Sequence, residues 1–335
     1  VLIVCASATS WMLSKVVHNK GGLYNRLTEQ IHLRTFCLRE CEAYVKAAGL
    51  ALNRNQILQY YMIFGGVPYY WGFLKKGLSL SQNIDSILFE KDAPLRDEFK
   101  YLYASVFKKP ENYVKIIEAL GIKKVGMTRE EIITATKIPN SGDLTTKLEE
   151  LESCGFIRKY NAFGMKKKNA IYQLMDCFTL FYFKFLKSEP TDEHFWTNQI
   201  NTPAANTWLG LAFERVCMEH VDQIKFKLGI SGVLTEVNSW YCKSDLDNGI
   251  FGSQIDMLIA RKDQVINLCE MKYSQSEYTI TEKVDRSIRN KISDLRVVSG
   301  TKYAIYPTLI TTYGVVENSY SQEMQSVVTM DDLFA

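Results

Sequence analysis

Apolar and polar positions alternate along this chain in two rhythms, one with the period of a helix and one with the period of a strand. The opening Val1-Leu2-Ile3-Val4-Cys5 belongs to neither, being apolar throughout. A continuous run of this kind predicts a strand buried on both faces of a parallel sheet. One strand is not stable alone, so its sheet partners are expected upstream of residue 1, and the chain reads as a fragment of something longer. Small polar residues (Ser7, Thr9, Ser10) come next, then a helix-like stretch from Trp11. Residues 37–49 and 53–63 have helical periodicity. Gly65-Gly66-Val67-Pro68 predicts a sharp break, with further helices to about residue 107.

Residues 112–175 form a recognisable unit. Tyr113, Ile116, Ile117 and Leu120 recur at helical spacing, and Gly121 is expected to close that helix. Thr128 and Glu131 predict a capping box that starts a second helix ending near Ala135. Ser141 is placed to cap a third, with Leu144, Leu148 and Leu151 on one face and Gly155 at its end. Two strand-like runs come after it, Phe156–Tyr160 and Ala170–Leu174, joined by Gly164-Met165-Lys166-Lys167-Lys168. Three helices and a hairpin make a winged helix-turn-helix. Residues 177–205 are an aromatic-rich connector, whose Tyr and Phe residues, with Trp196 and Trp208, are expected in the core.

From residue 206 the pattern changes to helix (206–227), three strands (232–241, 253–260, 264–272), helix (281–298), strand (303–312) and a short strand near 326–329. This αβββαβ order is enough for one compact domain. The predicted fold class is therefore a multi-domain α/β chain.

Composition narrows the partners. The chain has 335 residues, 47% hydrophobic and 23% charged, which excludes a disordered, collagen-like or coiled-coil protein. No apolar run reaches the length of a membrane span, and no signal peptide opens the chain. Eight cysteines are scattered without a CxxC pair, the pattern of reduced thiols in a cytoplasmic protein. Net charge is +3, but residues 1–205 hold 27 Lys+Arg against 20 Asp+Glu, leaving 13 against 17 behind them. A basic front suits a polyanion; an acidic rear suits a cation. The four histidines (18, 32, 194, 220) have no zinc spacing and read as surface or satisfied core residues.

The sharpest chemistry lies on two adjacent predicted strands, Gln254-Ile255-Asp256-Met257-Leu258-Ile259 and Asn267-Leu268-Cys269-Glu270-Met271-Lys272. Strand side chains alternate faces, so Glu270 and Lys272 share one. The joining turn, Arg261-Lys262-Asp263-Gln264, is centred midway between positions 256 and 270. A hairpin closed there sets Asp256 opposite Glu270, their carboxylates within about one cross-strand spacing, ~5 Å. Two such carboxylates repel unless a cation intervenes. A hard divalent ion, Mg²⁺ or Mn²⁺, takes oxygen ligands of this kind. Gln254 shares the face of Asp256, while Ile255, Met257, Ile259, Leu268 and Met271 read as core.

Asp256, Glu270-x-Lys272 and the αβββαβ order resemble the PD-(D/E)xK nuclease superfamily, although Ile255 stands where its proline would. The resemblance implies that Asp256 and Glu270 ligate Mg²⁺ and that Lys272 positions the attacking water. Glu214, in Ala212-Phe213-Glu214-Arg215-Val216, matches the supporting glutamate of its first helix, and Gln254 is placed to contact phosphate or water. The alternative is a solvated salt bridge among Asp256, Glu270 and Lys272.

No G-x-x-x-x-G-K-[ST] and no Walker B strand occur. Residues 1–100 nevertheless resemble the second half of an archaeal-type P-loop ATPase of the AAA/STAND group, fused to a winged helix and a nuclease-like domain of the DUF234 type. The carriers are Val1–Ser7 with Ala8-Thr9-Ser10-Trp11-Met12, Gly22-Leu23-Tyr24-Asn25-Arg26, Phe36 with Leu38-Arg39-Glu40-Cys41-Glu42, and Gly65-Gly66-Val67-Pro68-Tyr69-Tyr70. The resemblance divides the chain into an ATPase-core remnant with helical lid (1–108), winged helix (109–176), connector (177–205) and restriction-endonuclease-like domain (206–335). It implies that Ser7 or Thr9 senses a γ-phosphate and that Arg26 acts on nucleotide, with ATP bound only in an intact protein. DNA, held mostly through its backbone, is the expected partner of Thr145, Lys147, Lys166, Lys167 and Lys168. Acidic Glu149, Glu150 and Glu152 weigh against deep groove insertion. A protein partner or a second copy of the chain is the other expected association.

Overall fold

The computed structural model describes residues 29, 31, 33–161, 163–164 and 170–335. The expectations for Val1–Met12, Ser7, Thr9, Gly22–Arg26 and the lysine run 166–168 lie outside the described residues. The chain is mixed α/β, with one three-stranded and one five-stranded sheet.

The front is helical: α1 (Leu38–Ala47), α2 (Arg54–Phe64), α3 (Pro68–Trp71), α4 (Leu80–Leu88) and α5 (Glu98–Val106). Capping boxes start α2 at Asn53 with Gln56 and α4 at Ser79 with Gln82, satisfying amides that a helix N-terminus leaves unpaired. Gly65 ends α2 at φ 61°, and backbone of Phe36 fills the space beside Gly66, so the double glycine is a close crossing as well as a turn.

Next come α6 (Glu111–Ile122), β1 (Met127–Thr128), α7 (Arg129–Thr136), α8 (Gly142–Ser153), β2 (Ile157–Tyr160) and β3 (Ile171–Leu174). The Thr128–Glu131 box forms as the sequence predicts. Gly121 does not close α6, which runs on to Ile122; the ring of Phe183 occupies the place of a side chain there. Strands β2 and β3 are antiparallel, and β1 pairs with the other side of β3.

The connector holds α9 (Cys177–Phe181), one π-type turn over Tyr182–Leu186, and α10 (Phe195–Gln199). Its aromatics are core. The Phe181 ring meets Trp196 and Trp208 edge-on at 5.1 and 5.5 Å, a geometry that aromatic quadrupoles favour.

The rear comprises α11 (Pro203–Glu219), α12 (Val221–Lys227), β4 (Thr235–Tyr241), β5 (Gln254–Arg261), β6 (Val265–Lys272), α13 (Glu282–Ser299), β7 (Ala304–Thr311) and β8 (Ser326–Thr329). The single helix expected over 206–227 is two, divided at His220. The five strands lie in chain order; β4, β5 and β6 are antiparallel neighbours, while β7 and β8 join in parallel. Helix α11 covers one face, setting Phe213 and Cys217 in a core with Met257, Ile259 and Cys269. Helix α13 covers the other, where Leu295 packs with Leu258, Ile266 and Leu268. Both faces are covered, so β6 carries apolar residues on each: Ile266 and Leu268 toward α13, Cys269 and Met271 toward α11.

The first of these cores runs without interruption from Leu38 to Phe334. His220 ties front to rear. Its Nε2 accepts from the Leu38 amide at 3.0 Å, and its Nδ1 donates to the Val216 carbonyl at 2.8 Å. It is a satisfied core histidine, as its sequence context implies. Among the described residues, no helix is long and apolar enough to cross a membrane.

Phe213 is wholly buried between α11 and the sheet. Phe213→Ala is expected to cost about 3–5 kcal/mol in urea unfolding, the range for an aromatic removed from a packed core.

Candidate functional site

The turn Arg261–Gln264 closes the β5–β6 hairpin where the sequence places it, with Gln264 at φ 65°. Met257 pairs with Cys269, and the same register carried one residue further sets Asp256 across from Glu270. An irregularity on the other edge of β5 alters the direction of these side chains. Asn238 pairs with Leu258 but Trp240 with Ile255, so Asp256 and Met257 together oppose the single residue Ser239. Such a bulge inserts one residue and rotates the strand. Its effect is visible in packing. Ile255 joins Leu258 and Trp240 on the α13 face, whereas a regular strand would give it the face of Met257.

The predicted carboxylate pair is thereby re-partnered. Asp256 turns toward α11, where its charge acts on Glu214, Arg215 and Arg158. Gln254 shares that side and donates to Asp256 Oδ1 at 2.7 Å. Glu270 is held on the α13 face. Its two oxygens accept from Lys272 at 2.8 Å and from Lys291 of α13 at 2.6 Å. Lys272, at the end of β6, also feels Glu214. Direct contacts join Gln254 to Asp256 and Lys272 to Glu270, while Glu214 is reached by the charges of Asp256 and Lys272 without a hydrogen bond to either. The direct Asp256–Glu270 pairing expected from the hairpin gives way to Asp256 beside Glu214, because the bulge changes the face.

The network is electrostatically uneven. Burial, and then the charge of Asp256, push the Glu214 carboxyl up to about 7, against the pull of Arg215, Lys124 and Lys272. Burial alone would raise Glu270, but Lys291 and Lys272 outweigh it and hold that carboxyl below its ordinary range. Burial alone would lower Lys272, but Glu270 more than offsets it and the ammonium is raised.

Behind Asp256 stand two arginines. Arg215 is 1% exposed and donates from Nε to the Leu174 carbonyl at 3.1 Å and from Nη2 to the Lys124 carbonyl at 2.7 Å. Arg158, on β2, donates to Gln173 Oε1 at 2.6 Å and Ser239 Oγ at 2.8 Å, and its guanidinium lies 4.5 Å from the Tyr160 ring centroid. Burial and the nearby Arg215 bring Arg158 down to about 10. Ser239 Oγ donates onward to the Asp256 carbonyl, which pins the bulge. A small cleft lined by Tyr160, Gln173, Ser239, Gln254 and Asp256 opens along this seam.

The oxygen donors suit a hard divalent cation at one place. The charge of Asp256 is felt at Glu214, and a hard divalent cation would take oxygen donors of this kind, with water completing its shell. Glu270 is already neutralised by two ammonium groups. Among the described residues, no three His, Cys, Asp or Glu side chains stand close enough together to hold a metal ion.

The residues expected to face DNA fare unevenly. Thr145 is exposed on α8. Lys147 is folded back, paired with Asp143 at 2.5 Å and lying 5.3 Å from the Tyr113 ring centroid, with 12% of its side chain exposed. It is not offered to a groove. The residues missed by sequence reasoning are Lys291, Arg215 and Ser239. A signal existed for two of them: Lys291 falls on the helical stripe of Ile288 and Leu295, and Arg215 on that of Trp208 and Ala212, where a charge needs a buried partner.

Because folding raises its pKa, Glu214 binds its proton more tightly in the fold. Its ionisation thus weakens the fold as pH rises from the ordinary 4.5 through about 7. In Asp256→Asn, the Glu214 titration midpoint, followed by carboxyl NMR, is expected to fall yet stay above 4.5, since burial is the larger cause. An unchanged midpoint would show that the two groups are not neighbours.

No family model, no curated protein and no solved structure matches the chain.

Proposed function

We propose that the rear unit is a divalent-cation-dependent phosphodiesterase of the PD-(D/E)xK type, directed at the backbone of DNA that the winged helix helps to hold. The observation that carries this reading is the β5 bulge, which turns Asp256 to the α11 side, where its charge reaches Glu214, with Lys272 also within reach of Glu214. Two half-buried carboxylates arriving from a helix and a strand cost the fold stability, and a cation is the simplest compensation. The order of α11 and α12, β4–β5–β6, α13 and β7 supports it, being the αβββαβ order on which the resemblance rests.

In this reading Asp256 and Glu214 hold Mg²⁺ or Mn²⁺, which when bound polarises a phosphate and lowers the pKa of a water. Lys272 keeps its proton beside Glu270 and orients the attacking water or the phosphate. Gln254 holds Asp256 in place by its hydrogen bond. Arg158 and Ser239 fix the bulge from the β2 side, so the winged helix is part of the site's support. Nucleotide binding by Ser7, Thr9 and Arg26 rests on the sequence resemblance alone.

A second reading is favoured by one observation. Glu270 has two lysine partners and no need of a metal. A nuclease fold so neutralised would serve as a scaffold in a nucleotide-switched DNA- or protein-binding regulator.

Cleavage of linear DNA with Mn²⁺ separates the two. Asp256→Ala and Lys272→Ala are expected each to lower cleavage at least ~100-fold, the scale for losing a metal ligand or a proton-transfer group. Thermal unfolding of the variants checks that they still fold. Equal cleavage by the variants, or none by the parent, would leave the scaffold reading.

A further inference from the structure

Tyr241 ends β4 and stands directly across from Gln254, the residue that donates to Asp256. Residues opposed in this way share a face of the sheet, and Tyr241 lines the seam cleft together with Asp256, Tyr160 and Gln173. Half of it is nonetheless open to water, at 51%. Among the described residues its hydroxyl has no hydrogen-bond partner and its ring no aromatic neighbour. Tyr160, on the other wall, is the contrast: it is buried, and its hydroxyl donates to the Val125 carbonyl at 2.6 Å. Lys124 comes just before that carbonyl in the chain. It is exposed, its charge reaches Glu214, and among the described residues its ammonium makes no ion pair.

We propose that Tyr241 and Lys124 together hold an unpaired DNA strand across the seam, Tyr241 as the plate on which one base stacks and Lys124 as the contact of a neighbouring phosphate. This rests on the phosphodiesterase reading above for what is done to the strand, and adds to it the kind of DNA that the seam accepts. Charge favours a polyanion here. Lys124, Arg158, Arg215 and Lys272 stand against Asp256 and Glu214, while Glu270 has Lys291 as a further partner. The acidic residues of the β4–β5 loop, Asp245 and Asp247, belong to the turn around Leu246–Asn248 and line no wall of the cleft. Geometry then chooses the unpaired strand. Inside a duplex both faces of each base are covered by its neighbours, so a ring standing at a protein surface meets only sugar and phosphate. An unpaired base offers its face, and stacking tolerates any of the four bases.

The test is binding to fluorescein-labelled oligothymidylate, read by anisotropy on the full chain in EDTA so that no metal takes part. Tyr241→Ala is expected to weaken it roughly tenfold, the scale for one base stacked on an aromatic ring, and to leave binding to a duplex hairpin unchanged. Tyr241→Phe keeps the ring and is expected to bind as the parent does. Lys124→Gln is expected to flatten the plot of log affinity against log salt by about 0.7, the share of one single-strand phosphate. Phe251 is an equally exposed aromatic whose amide is held by Asp294 of α13, and Phe251→Ala is expected to bind as the parent does. Equal binding by Tyr241→Ala, the same loss in Phe251→Ala or on the duplex hairpin, or an unchanged salt slope in Lys124→Gln overturns the proposal. A readout without any variant guards against misfolding. A bromodeoxyuridine-substituted strand is expected to photocrosslink to the peptide holding Tyr241, and crosslinks only elsewhere overturn it. The two readings fail separately. A parent that binds the strand through Tyr241 but cleaves no DNA with Mn²⁺ keeps the strand contact and loses the phosphodiesterase, whereas a parent that cleaves while Tyr241→Ala binds normally loses the strand contact alone.

Discussion

A guanidinium sealed between the β3 hairpin and helix α11 sets the geometry of everything around it. Arg215 spends its hydrogen bonds on two backbone carbonyls, Leu174 and Lys124, instead of on a carboxylate. Burying a charge this way is costly, and its environment lowers the affinity of the group for its proton. What the cost secures is register. The carbonyls belong to the three-helix unit and the arginine to the rear unit, so the two are locked at a fixed offset. The residue before it, Glu214, is thereby aimed along the seam toward β5.

The second determinant is one extra residue. Without the bulge at Asp256 and Met257, alternation along β5 would put Asp256 on the α13 face beside Glu270. With it, Asp256 meets Glu214, and Glu270 is left to the lysines. Bulges are common beside functional sites because they re-aim a side chain without disturbing the rest of the strand. Here the bulge is held by Ser239, which bridges the Asp256 carbonyl to Arg158 on β2. The hairpin unit and the sheet are thus joined at the bulge that aims Asp256.

The front helices are fastened to the same body. The C-terminal turn brings Asp331 to Arg54 at 3.0 Å and sets the Phe334 ring 4.9 Å from the same guanidinium. His220 spans from α11 to the first amide of α1. One apolar core runs through all of these parts.

Much of this was legible in the linear pattern. The strands of the rear sheet, the Thr128–Glu131 cap and the hairpin turn at Arg261–Gln264 are encoded by residues near one another, through alternation, capping and turn chemistry. The backbone register that sets position 256 across from 270 was readable for the same reason, and the face that Asp256 takes was not, because the bulge breaks the strand period. Tertiary structure decided the rest. Whether a carboxylate faces a second carboxylate or a lysine depends on a bulge pinned by a serine on another strand and an arginine on another unit. Lys147 turned inward because packing set the Tyr113 ring of α6 beside it, and Lys291 became a partner of Glu270 because α13 packs across β6. Local sequence specifies periodicity; the direction a charged tip finally takes is set by the neighbours that packing brings to it, and those come from far along the chain.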